Sequence, residues 1–101
     1  MNDILYTISL RDEFEWNRYR EKVDNIMLST TQLVVTWDLS HLTYVPWQHV
    51  WKQIALMRHY RPIMAQHIKK NIIILPNKKW KHVFDLIFKI VPPVAPTILQ
   101  Y

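Results

Sequence analysis

Residues 75–82 read LPNKKWKH, and the residue types in that stretch suit the binding of an anion. A helix begins with unpaired N–H groups and a partial positive charge, so acidic side chains are the usual occupants of its first turn. Here Lys78, Lys79 and Lys81 follow a capping residue, Asn77, and reverse that choice. Together with Arg11, at the end of the first strand pattern, they form a candidate site for one phosphate or carboxylate. The alternative reading leaves the lysines in water, at a cost of roughly a few tenths of a kcal/mol.

Other chemistry finds less support. The five histidines (His41, His49, His59, His67, His82) include two pairs spaced by eight residues, unlike the i, i+4 pair that grips a metal from one helix face. There is no cysteine, so thiolate sites, disulfides and cysteine nucleophiles are excluded, and no metal or cofactor is expected. There is no glycine either, which excludes glycine-rich phosphate loops, nucleophile elbows and dinucleotide fingerprints. Asp38 closes a strand pattern, the place where an enzyme keeps a carboxylate, but Ser40 and His41 follow it as in a capped turn. Most carboxylates lie between residues 12 and 24 on one helix, with no second catalytic partner in view, so the chain is not expected to be an enzyme.

Charge is unevenly spread. Residues 1–38 hold four Lys/Arg against seven Asp/Glu, and residues 39–101 hold nine against one, within a net charge of +5. Such asymmetry calls for an anionic partner. An acidic protein surface is the leading expectation, met by Arg58, Arg61, Lys69, Lys70, His82 and Lys89. The alternative is an anion or phosphoinositide headgroup bound at the start of the third helix, and nucleic acid is the second alternative. For nucleic acid, KKNIIILPNKKWKH interleaves lysines with an aromatic that could stack on a base.

The elements that must position these residues follow from hydrophobic period. At 101 residues, with half of them hydrophobic, the chain suits one folded domain. Ile4, Tyr6, Ile8 and Leu10 alternate as in a strand over 3–10. From a capping Asp12, the residues Phe14, Trp16, Tyr19, Val23, Ile26 and Met27 recur at helical spacing. Ser29-Thr30-Thr31 turn the chain into a strand over 32–39 and then a loop, SHLTYV. Pro46 opens a second helix that would bury Trp47, Val50, Trp51, Ile54 and Met57 and weaken near Pro62, with residues 63–69 as a short resumption or a loop. NIIIL at 71–75 is apolar on both faces, as in a central strand of a parallel sheet. A third helix follows, with Trp80, Val83, Phe84, Ile87, Phe88 and Val91 as its buried stripe. Pro92-Pro93 stop it, and TILQY closes the chain as an edge strand able to pair across a homodimer.

The result is an α/β fold: a four-stranded, mainly parallel sheet in the order β-α-β-α-β-α-β with three main helices. A strand order of 2-1-3-4 would place a ligand crevice between the first and third strands, where Arg11 and Asn77–Lys79 arrive. No apolar run is long enough to span a bilayer, and the N-terminal residues do not read as a signal peptide, so a cytoplasmic protein is expected. Richness in Asn, Ile, Lys and Tyr is the composition of an AT-rich genome, such as a viral one.

In this order, ILYTISLR, VVTWDLSHLT, RHYRP, IIILPNKKW and VPP resemble a miniature CRAL-TRIO domain. Asp38-Leu39-Ser40, Tyr60 with Pro62, Ile72 to Pro76 and Trp80 stand in comparable places. The stretch 33–60 is similar to the STAS domain as well, although Val45-Pro46-Trp47-Gln48 replaces the phosphorylatable residue of STAS regulators. Both resemblances imply the shared sheet-and-helix core, and neither transfers a function by fold alone.

Overall fold

The structure is a computed structural model and describes residues 4–28 and 32–101. The expected turn at Ser29-Thr30-Thr31 and the first residue of the expected first strand, Asp3, lie outside them. Four strands and three helices alternate: β1 (Ile4–Arg11), α1 (Trp16–Met27), β2 (Leu33–His41), α2 (Trp47–His67), β3 (Ile68–Ile74), α3 (Lys79–Ile90) and β4 (Thr97–Gln100). The sheet is fully parallel.

Its strand order is 1-2-3-4, not 2-1-3-4. Each crossover moves one strand further in the same direction. Parallel crossovers share one hand, so successive helices fall on one face of the sheet. The core agrees: Tyr19, Val23 and Ile26 of α1 and Leu56 and Met64 of α2 join Ile8, Leu33 and Val35 of the sheet. Trp80, Phe84 and Phe88 of α3 meet Ile73 and Leu99 of that same face. Ile54 of α2 lies with Ile87 and Val91, joining the second and third helices. The molecule thus has two layers, and its sheet never reverses direction to make a switch-point crevice.

Several local expectations change. α1 begins at Trp16 with Glu15 at its cap position. Asp12 does not cap it: its carboxylate accepts the Thr43 N–H (2.7 Å) and hydroxyl (2.6 Å), tying the turn after β1 to the loop before α2. Pro62 does not interrupt α2, which runs unbroken to His67, so Ile68–Lys70 belong to β3. Of the five residues assigned to the core side of α2, Ile54 is buried and Val50 and Met57 are half-buried. Trp47 and Trp51, by contrast, are 66% and 58% exposed. They sit one turn apart on α2.

The Asp12 contact carries a pH dependence. Hydrogen bonds from the Thr43 side chain, then its backbone, hold the Asp12 carboxyl below its ordinary pKa, and those from Ser40 do the same for Asp38. A carboxyl with a lowered pKa in the folded state stabilises it above the unfolded-state pKa, near about pH 4, and that stabilisation is lost as pH falls through the folded value. Urea midpoints measured from pH 5 down to pH 2 should therefore fall on acidification. The fall should be shallower in Thr43→Val, which lacks the hydroxyl donor; an equally steep fall would remove the contact as its source.

Candidate interaction surface

Side chains alternate across a strand, so the two faces of this sheet can be read rung by rung from its register. On the helix-covered side one rung is Tyr6, Val35, Asn71 and Thr97, and the next is Ile8, Trp37, Ile73 and Leu99. On the other side the rungs are Leu5, Val34 and Lys70; then Thr7, Thr36, Ile72 and Ile98; then Ser9, Asp38, Ile74 and Gln100. None of these eleven residues belongs to a core cluster. Leu5 is 73% exposed and Ile98 41%. The middle rung of this open face is β-branched throughout, two threonines and two isoleucines, one end carries the cation of Lys70, and the other carries the carboxylate of Asp38.

Asp38 is occupied locally. Its Oδ1 accepts both the backbone N–H (3.1 Å) and the hydroxyl (2.6 Å) of Ser40, the turn that the sequence implied. Among the described residues, no group of three His, Cys, Asp or Glu is placed to hold a metal ion.

The residues of the candidate anion site are separated. Arg11 lies opposite His41 at the end of β1, whereas Asn77 follows β3. With β2 between them, the two strand ends stand two interstrand spacings apart, about 10 Å. At the start of α3 the backbone donors are already engaged. Asn77 Oδ1 accepts the Lys79 N–H (3.0 Å), Asn77 O accepts that of Trp80, and Lys78 O accepts that of Lys81. The cap position of α3 is held by Lys78, not by the expected Asn77, whose Oδ1 bonds the first helical N–H from one residue further back; the same bonds remove N–H groups that an anion would need. Lys78, Lys79 and Lys81 project into solvent.

The basic residues assigned to a partner surface divide between the two ends of the molecule. Lys69 and Lys70 begin β3, directly after α2, and Lys89 lies in the last turn of α3. Arg58 and Arg61 lie in the C-terminal half of α2, and Arg61 Nη1 donates to Pro92 O (2.7 Å), joining α2 to the segment after α3. Cations at helix C-termini complement the negative end of the dipole. His82 belongs to the first turns of α3, at the opposite end.

The open face itself was not singled out by sequence reasoning. Its signal was present in Ile72 and Ile74, which make β3 apolar on the side away from the helices. Compared with protein-family models, curated proteins and solved structures, the chain matches none. Among the described residues, no helix is long and apolar enough to cross a membrane.

Proposed function

We propose that the chain is a non-enzymatic protein-interaction module whose open sheet face docks a protein with an apolar centre and an acidic end. One observation carries this reading: an all-parallel sheet has helices on one face only, with Val34, Ile72, Ile74 and Ile98 left on the other. Parallel sheets almost always have both faces covered, because their strands are apolar on both. A partner layer would bury this face, and Lys70 at its edge selects an acidic end by charge. The resemblance to a CRAL-TRIO or STAS core enters the proposal as an α/β scaffold and assigns no site residue. We place the encounter in the cytoplasm.

The test replaces two exposed residues on the edge strands, Leu5→Glu and Ile98→Glu, in one chain. Surface substitutions of this kind change stability by about 0.5 kcal/mol each, so the variant should melt close to wild type. Wild type immobilised in extract from its source cells should retain one stoichiometric protein at physiological salt, and the variant should lose it. Retention by the variant would remove the open face from the proposal.

A second reading, single-stranded nucleic acid, is favoured by one specific feature. Trp47 lines a shallow groove with Val45, Val50, Lys79, Trp80 and Val83, so one exposed indole stands near a cation. Bases stack on aromatics while lysines neutralise phosphates. Binding of this kind falls steeply with salt and disappears in Trp47→Ala/Trp51→Ala, a variant that leaves the open face intact. Pairing of two copies along the outer edge of β4 is a separate proposal, read by sedimentation against concentration.

A further inference from the structure

Protein interiors are close-packed, and voids larger than a water molecule are few. Between the helical layer and the sheet, however, this chain holds a half-open cavity of about 140 Å³. Its inner walls are apolar, with Leu39, Leu42, Ile73 and Ile87 buried there. That volume is close to the roughly 150 Å³ of an apolar cavity that takes up benzene.

The walls are exposed at Arg61, Pro92 and Pro93, and again at Val83. The first three lie together, because Arg61 Nη1 donates to Pro92 O at 2.7 Å. That bond holds the guanidinium at the rim, where the cavity meets solvent. One carbonyl takes one N–H of a guanidinium and leaves its other donors. No Asp or Glu lines the cavity, and among the described residues Arg61 pairs with no carboxylate. Other polar groups on the walls satisfy one another: Tyr19 donates to Gln53 Oε1, and Trp37 Nε1 donates to Asn71 Oδ1. Arg61 is thus a cation without a counter-charge at the mouth of an apolar space.

We propose that this cavity binds a small free carboxylic acid as its carboxylate, with an apolar ring or chain of about six carbons inside and the charged group at the rim against Arg61. Apolar pockets hold the body of a ligand while a few polar groups fix its orientation. Guanidinium and carboxylate match both in charge and in planar geometry. Because the rim is open, the carboxylate keeps part of its water and escapes the cost of full burial. A neutral compound of the same shape gains the walls but not the cation. The site lies on the helix-covered side of the sheet and stands or falls apart from the open face.

Phenylacetate and 2-phenylethanol, which share an apolar body and differ in charge, are the probes. Each is titrated into the whole chain at neutral pH while methyl resonances are followed by NMR. Phenylacetate should shift Leu42 and Ile73 saturably and leave Leu5 and Ile98 of the open face in place. It should bind about tenfold tighter than the alcohol, the worth of a charge-assisted hydrogen bond, and weaken as salt rises. In Arg61→Gln, which keeps an amide donor for Pro92 O, the acid should lose that advantage while the alcohol affinity stays level. Absence of saturable shifts at Leu42 and Ile73, or shifts confined to Leu5 and Ile98, overturns the site. An Arg61→Gln chain that still prefers the acid overturns the pairing with Arg61. If Arg61→Gln does not fold, the wild type decides alone. Apolar walls by themselves favour the neutral alcohol, so a clear preference for the acid supports the pairing, and equal affinities or an alcohol preference reject it.

Discussion

Leu33→Ala should cost about 3–4 kcal/mol of folding stability, the middle of the range for fully buried leucines. Leu33 is 0% exposed and opens β2 between Ile4 of β1 and Ile68 of β3, with Ile8 and Val35 in the same cluster. Neighbouring strands are hydrogen-bonded to it from both sides, so the backbone cannot collapse into the space left by the side chain. The lost burial is then joined by the cost of a cavity. Domains of this size are stable by only about 5–15 kcal/mol in total. The variant should melt roughly 12–32 °C lower, at 4–8 °C per kcal/mol. Leu5→Ala is the matched control: the same substitution in the same sheet, at a side chain 73% exposed on the open face. Its urea midpoint should move little. Equal losses at the two positions would mean that the open face is covered in solution, while a small loss at Leu33 would displace it from the core.

The second large effect lies at the pair that spans β2 and β3 on the helix-covered side. Asn71 is, among the described residues, the buried polar one in an otherwise apolar core, and its Oδ1 accepts the indole N–H of Trp37. Its own backbone N–H donates to Pro96 O at 2.9 Å, which anchors the approach to β4. Asn71→Ala leaves the Trp37 donor buried without an acceptor, and an orphaned buried donor costs about 1–3 kcal/mol. With the packing lost as well, the expected total is about 2–3 kcal/mol. Trp37→Phe removes the donor, so Asn71→Ala in that background should cost about 1 kcal/mol less than it does alone. Chemical denaturation of the four chains supplies the cycle. Strict additivity would show that the bond contributes nothing. A loss under about 1 kcal/mol for Asn71→Ala alone would show that water enters the adjoining cavity and replaces the amide as acceptor.

Both effects depend on which face of a strand a residue occupies, and that dependence separates what could be read in advance from what could not. Period two in β1 placed Ile8 and Leu10 inward, and the helical spacing of Tyr19, Val23, Ile26 and Met27 marked the buried stripe of α1. These patterns are local: a side chain's direction follows from its place in the repeat, whatever packs against it. The second helix misled because Trp47 and Trp51 share the spacing of core residues, and indoles are large apolar groups. The buried contact between α2 and α3 forms through Ile54, Ile87 and Val91 instead, and Trp47 and Trp51 stay exposed. Pro62 misled in the other direction, since contacts of Met64 and Leu56 with the core hold the helix past a residue that propensity alone would make its end.

The candidate anion site fared in the same divided way. Asn77 was legible as a turn residue that reaches its own backbone two residues on, and Asn77 Oδ1 does bond the Lys79 N–H, although the cap position falls to Lys78. Bringing Arg11 to that turn required strands 1 and 3 to be neighbours. Strand order depends on which long-range pairings bury the most surface, and no local repeat encodes it. The amino-acid sequence by itself determined the alternation of four strands with three helices, the parallel sense that such crossovers enforce, and the lopsided charge. Tertiary structure alone decided the order 1-2-3-4, and with it the single-sided helical layer, the bare rungs of Leu5, Val34, Ile72 and Ile98, and the cavity beside His49. The physical reason is that period and propensity act within about one turn or one rung, whereas these features arise from strand pairings between residues far apart in the chain, such as Ile72 with Ile98 and Val34 with Lys70.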